Sequence, residues 1–312
     1  MNSTFIYDNL PKAADVSTCT HLSCMFMATA LVIIFILGSA GNGLVIWIAG
    51  FKVKKSVTST WYLSLAVSNF LFCCTLPFTV FYTVREGLIF GLFMCKFISF
   101  IMFLNMFSSI FILVIISVDL CVAVMFPVWA QNHRTIRKAS VIVMLIWIIS
   151  AGISTPSLIF RAVQPDYRKQ TQVCFNDIAY DQDHITVVVC RFVFGFVIPF
   201  LIIIVCYNVI ERKLRNNQSA KSKKPFKIMT ALTVAFLLCW IQFHMFPLME
   251  LKDKNYAENI PRVIGVILAC ANSCVNPFLY AFIWRDGKMK PYTFLSKFEN
   301  ALQEENEDQN TV

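Results

Sequence analysis

Seven runs of about twenty or more residues, nearly free of charge, recur along the chain at 25–51, 56–84, 97–118, 139–160, 192–210, 228–249 and 263–284. At 1.5 Å of rise per residue, each can cross a hydrocarbon core about 30 Å thick as an α-helix. The connections between them are short, so the pattern predicts one all-α bundle of seven transmembrane helices with no separate soluble domain. Residues 1–24 precede the bundle, 25–284 build it, and 285–312 follow it as a short amphipathic helix on the membrane surface and an acidic tail. The first residues lack a basic stretch and the first apolar run is too long for a cleaved signal, so it is expected to stay as a signal anchor.

Composition agrees with this reading. Of 312 residues 57% are hydrophobic and only 14% charged, with a mean hydropathy of +0.65, where soluble domains carry about 25% charge. A soluble enzyme and a disordered chain are both excluded. The net charge of +9 would raise nucleic acid as a partner in a soluble chain, but its placement answers otherwise. Of the 27 Lys and Arg, 17 fall on the side holding 52–55, 134–138, 212–227 and 285–297, and 10 on the other. The positive-inside rule makes the first side cytoplasmic and puts the N-terminus outside. That side carries the whole excess of +9, the outer side balancing to zero, so the charge sets topology and meets anionic lipid. Nucleic acid is not needed.

The candidate chemistry is sparse. Asn2-Ser3-Thr4 is a glycosylation sequon on the outer side, whereas Asn217-Gln218-Ser219 lies inside and is read as chance. Cys95 and Cys174 both lie outside, where a disulfide is permitted; Cys19 and Cys24 could also pair, or stay free. Arg191 stands near the outer end of an otherwise apolar fifth helix, and a charge so placed usually faces a polar cavity or a partner. Inside helix seven, Asn276-Pro277-Phe278-Leu279-Tyr280 sets a kink and two polar side chains toward the bundle interior.

With these residues the chain resembles a rhodopsin-like G-protein-coupled receptor. The resemblance extends to Gly41-Asn42-Gly43, Leu65-Ala66, Trp147 and Pro156, Pro199 and Tyr207, and Phe236, Cys239 and Trp240. Within that family, Phe126-Pro127-Val128-Trp129-Ala130-Gln131-Asn132-His133-Arg134-Thr135 is similar to the formyl-peptide and chemerin chemoattractant receptors. Ser157-Leu158-Ile159-Phe160-Arg161, Cys174-Phe175-Asn176 and Lys223-Lys224-Pro225-Phe226-Lys227-Ile228 are nearer to the chemerin type. The resemblance implies a Cys95–Cys174 disulfide, an extracellular peptide or small-protein ligand, no cofactor, and a cytoplasmic partner that is a heterotrimeric G protein, of inhibitory type, and/or arrestin. It implies a pocket of Met102, Phe103, Met106, Arg191, Trp240, Phe243 and His244. It implies a switching apparatus that includes Asn69, Asp119, Leu120, Tyr207, Trp240, Asn276, Pro277 and Tyr280.

Several of those positions depart from the family. Its Asp-Arg pair at the inner end of helix three is Asp119-Leu120 here, and leucine has neither charge nor donor. Its sodium-coordinating Asp is Asn69, which removes the negative charge an intramembrane cation needs and leaves Asn105 and Ser109 as partners in a sodium-free network. Its helix-six proline is Gln242, with Pro247 lying further out, and Leu88 stands where relatives carry Trp. The formyl-peptide receptors pair Arg191 with an Asp in helix three where this chain has Phe103, so a formyl-methionine clamp is incomplete. An apolar pocket with one cation suits a hydrophobic peptide end whose carboxylate meets Arg191; His244 is read as a satisfied pocket residue ahead of a proton sensor or metal ligand.

These departures leave open a receptor that scavenges ligand or favours arrestin. A transporter would need more polar lining and repeated halves. An enzyme would need a nucleophile or metal cluster that is not evident beside Asp119 and His133.

Overall fold

The computed structural model of the chain describes residues 21–52, 55–85, 91–166, 171–176, 181–216, 223–252 and 259–283. Asn2, Cys19, Leu88 and the tail from residue 284 onward, including the expected surface helix, lie outside the described residues.

The helices run in order α1 (His21–Trp47), α2 (Val57–Cys73), α3 (Leu76–Arg85), α4 (Gly91–Met125), α5 (Pro127–His133), α6 (Ile136–Ser154) and α7 (Pro156–Ile159). An antiparallel hairpin follows, β1 (Arg161–Asp166) against β2 (Thr171–Asn176), and then α8 (Asp181–Phe192), α9 (Ile198–Asn216), α10 (Lys223–Lys252) and α11 (Asn259–Ile283). Six of the helical stretches, Leu22–Lys52, Val57–Arg85, Gly91–Met125, Ile136–Ile159, Ile185–Lys213 and Thr230–Met249, are long and apolar enough to cross a membrane, and Val263–Pro277 adds a shorter apolar seventh. We number these seven as spans one to seven.

Proline punctuates the spans. The second breaks at Cys74-Thr75, just before Leu76-Pro77, and the fourth at Thr155, just before Pro156, because proline donates no N–H to the ladder and its ring crowds the carbonyl four residues back. The carbonyls loosened by these breaks are covered by hydroxyls: Thr75 Oγ1 donates to Phe72 O at 2.7 Å and Ser157 Oγ to Ser154 O at 2.6 Å, as a hydrocarbon surrounding demands. In the fifth span the chain takes a π turn at Val193–Val197, between α8 and α9 and immediately ahead of Pro199. Proline cannot bond the carbonyl four residues back, and the wider turn absorbs that gap.

Span two opens on a reciprocal cap. The Ser59 N–H donates to Ser56 Oγ at 3.0 Å and the Ser56 N–H to Ser59 Oγ at 2.8 Å. The long α4 runs through the bundle, packing on α2, α6, α9 and α10, while α11 packs on α1, α2 and α10. Around α4 lies the larger core cluster, including Trp61, Leu65, Phe107, Ile110, Leu113, Phe236 and Trp240; a smaller one joins Leu31, Phe72, Leu76 and Cys270. The opposite faces carry large exposed apolar residues such as Ile36, Ile148, Val205 and Leu238, the surface that lipid covers.

The observed helices outrun the apolar stretches. The fifth begins at Asp181, so Arg191 stands ten residues, or about 15 Å, along it and not near its end as the sequence suggested. Helix six is continuous with Pro247 inside it, beyond Gln242.

Candidate functional site

Three constellations of polar side chains lie along the bundle axis. The first lies toward the hairpin end. A disulfide joins Cys95 at the start of α4 to Cys174 in β2, with the Cα atoms 5.8 Å apart, and β1 packs on α4. Below it, residues spaced three and four apart share a helix face and bring Phe103 and Met106 of α4 toward Trp240, Phe243 and His244 of α10. The rings of Phe103 and Phe243 are 6.0 Å apart, and Trp240 meets Phe243 edge-on at 5.4 Å. From span five, Phe192 and Phe196 stack on each other at 5.7 Å and flank the His244 ring at 6.0 and 5.4 Å. Gly195 keeps this junction tight, since a Cβ there would lie 3.0 Å from Phe107 and 3.3 Å from the Met106 methyl.

Arg191 enters this aromatic box. Its guanidinium carbon sits 3.8 Å from the centroid of the Phe103 ring, a cation–π contact in which desolvation strengthens the attraction. Phe103 thus occupies the position where a carboxylate would neutralise the cation and offers it a ring face. The ion pair between Asp119 and Arg134 lies elsewhere. His244 Nε2 and Trp240 Nε1 are buried with no hydrogen-bond partner among the described residues. A closed apolar box holding a cation and two unpaired ring nitrogens has the makings of a small ligand site. Met102 sits half-buried beside Phe103 and packs against both core clusters.

The second constellation, deeper in the bundle, is polar and without charge. The Asn105 amide donates to Asn69 Oδ1 at 2.9 Å and to Ser68 Oγ at 3.1 Å, and its Oδ1 accepts from Ser273 Oγ at 3.3 Å. Ser68 Oγ lies 2.6 Å from Ser108 Oγ, and the Asn42 amide donates to the carbonyls of Gly38 and Ser273 at 2.8 and 2.7 Å. Asn105 is therefore the hub that ties helix three to helices two and seven, and Asn42 joins helix one to helix seven at Ser273. Gly41 lets helix one close on helix seven at Pro277: a Cβ there would lie 3.0 Å from the Pro277 ring. Beside this network Asn69 Nδ2, Ser109 Oγ and both amide atoms of Asn272 are buried and unpaired among the described residues. The group the family would hold here is a sodium ion, and these residues do not fit it: the cluster offers amides and hydroxyls, no carboxylate, and two of its unpaired atoms are N–H donors.

The third constellation lies at the opposite end from the hairpin. The Asp119 carboxylate accepts from Arg134 Nε and Nη2, both at 2.7 Å, and from the Trp61 indole N–H at 3.1 Å; Arg134 Nη2 also donates to Thr58 Oγ1 at 3.1 Å. Asp119 is thus engaged by the loop following α5. Leu120 turns half-buried onto the main core cluster, which Tyr207 also joins. His133 stacks on Trp129 at 4.6 Å. Asn276 and Pro277 are buried in α11, and the Tyr280 side chain lies outside the described residues.

The structure brings the expected pocket residues together and adds Phe192, Gly195 and Phe196 to them. It also adds Ser68, Ser108 and Ser273 to the polar core, and Trp61, Thr58 and Arg134 to Asp119. The aromatic spacing at 192, 196 and 200 was visible in the sequence. The partners of Asp119 were not, because they come from two other parts of the chain, helix α2 and the end of α5.

The sequence pattern described as "7 transmembrane receptor (rhodopsin family)" matches residues 41–280. Chemerin-like receptor 1 of Homo sapiens is 40% identical over 304 residues, covering 90% of this chain and 81% of that one. Formyl peptide receptor-related sequence 6 of Mus musculus is 34% identical over 305 residues (93% and 90%), and N-formyl peptide receptor 2 of Gorilla gorilla gorilla 33% over 293 residues (87% and 84%).

Proposed function

The chain belongs to the rhodopsin family of seven-transmembrane receptors, a family of receptors and not enzymes, and on that premise we propose that it is a chemoattractant receptor for a peptide or small protein of the chemerin kind. It sits in the plasma membrane with its N-terminus outside and its tail inside, the orientation that its basic residues favour. It transmits ligand binding to a G protein of inhibitory type and/or to arrestin.

The observation that carries the ligand class is Arg191, a cation resting on the Phe103 ring inside an aromatic box. A hydrophobic peptide end with a free carboxylate supplies both a charge for the guanidinium and apolar surface for Met102, Met106, Phe243 and the Trp240 ring. His244 Nε2, unpaired among the described residues, is within the same box and adds a second polar contact. The formyl-peptide arrangement is disfavoured, because Phe103 stands where those receptors supply an Asp.

Leu120, Asn69 and Gln242 favour a second reading, a receptor that binds and internalises ligand with weak G-protein activation. The discriminating experiment is G-protein dissociation and arrestin recruitment in the same cells, against chemerin-derived and formyl peptides. Dissociation and recruitment at similar peptide concentrations support the leading reading; recruitment with no dissociation supports the second; and neither response to any peptide overturns both.

A further inference from the structure

We infer that Arg134 is the positioning residue for the inner loop of this receptor, supplying to Asp119 from outside helix three the cationic partner that residue 120 cannot. The inference rests on the reading of that end as the coupling face.

The argument begins with α5. It has seven residues, well below the length at which a helix holds itself together in water. Phe126 ahead of it provides no side-chain cap, and Ala130 is its one buried residue among those described. Phe126, Val128 and Trp129 are exposed by 60, 71 and 55%. Burial cannot be what fixes this helix, so its placement depends on its ends. The Arg134 N–H closes the last turn on Ala130 O at 2.9 Å, and its side chain makes the two-pronged bond to Asp119 and the bond to Thr58. One residue thus fastens the end of α5 to helix three and to the first turn of helix two.

Both side chains of the pair are 15 to 17% exposed, in a setting where a planar guanidinium matched to a carboxylate is stronger than a solvated surface pair. The Trp61 indole fixes the carboxylate from a third direction. With Asp119 so engaged, loss of the arginine at 120 leaves no uncompensated acid at this end of the bundle. The cation is mounted in the connection between spans three and four, so the ion pair fixes the attitude of α5 and its exposed apolar face.

The test is hydrogen exchange of amides 128–133, Pro127 having none, in the full-length receptor in lipid nanodiscs. Arg134→Ala and Asp119→Asn are each expected to speed exchange about tenfold, and the double variant no more than either alone, because all three break one pair. Adding Leu120→Arg to Arg134→Ala supplies a cation from helix three and is expected to neutralise Asp119 without slowing exchange at 128–133. Should Arg134→Ala not reach the cell surface, Arg134→Gln retains a donor and reads the same effect at reduced size. Wild-type exchange in both single variants, a double variant whose effect is the product of the singles, or slowed exchange on adding Leu120→Arg would each overturn the proposal. A wild-type receptor that recruits neither G protein nor arrestin would sink the coupling reading, while exchange still decides the role of Arg134.

Discussion

Asn105 and Asn272 form a matched pair for weighing the polar core. Both are 1% exposed, and replacing either by Ala removes the same atoms from a comparable depth, so the cavity terms nearly cancel. Their bonding differs. Asn105 makes three side-chain hydrogen bonds at 2.9, 3.1 and 3.3 Å, and both amide atoms of Asn272 are unpaired among the described residues. Bonds between transmembrane helices are worth about 0.6 kcal/mol each on average, so Asn105→Ala is expected to cost about 2 kcal/mol more than Asn272→Ala. At about 2 °C of melting temperature per kcal/mol for a large chain, the gap is about 4 °C. Thermal unfolding of the two purified variants in one detergent, followed by tryptophan fluorescence, reads it directly. Melting temperatures equal to within about 1 °C would refute the assignment of Asn105 as hub.

Two further substitutions address the other constellations. Phe103→Asp gives Arg191 an internal counter-ion; competition binding is then expected to show at least about tenfold weaker affinity for a peptide ending in a free carboxylate, since that bond no longer meets an unneutralised cation. Asn69→Asp restores a carboxylate to the polar core. Radioligand binding in sodium against an impermeant organic cation is expected to be sodium-dependent in that variant and sodium-independent in the wild type; sodium dependence in the wild type would contradict the reading of a neutral network.

The sequence made the bundle legible because lipid leaves few choices: long uncharged runs, flanking charge and helix-breaking prolines carry the information in one dimension. The boundaries were less legible. The fifth helix continues outward through Asp181–Phe192, whose polar start resembles a loop until helix geometry is imposed. The pocket was readable where relatives share its residues, but the seat of Arg191 on the Phe103 ring is a pairing across helices that spacing along the chain does not encode. The same holds at Asp119. The substitution at 120 is plain in the sequence, yet its compensation comes from Arg134, Trp61 and Thr58, at separations of 15, 58 and 61 residues from Asp119.

The central claim, that Arg191 receives a ligand carboxylate in an aromatic box, is tested most directly by one binding measurement. A chemerin-derived peptide is prepared with a free C-terminal carboxylate and again as the amide, and each is bound to the wild-type receptor and to Arg191→Ala. The free acid is expected to bind the wild type at least about tenfold more tightly than the amide, a charge-assisted bond of about 1.5 to 3 kcal/mol, and the two forms to bind Arg191→Ala equally. Equal affinity of acid and amide for the wild type would contradict it.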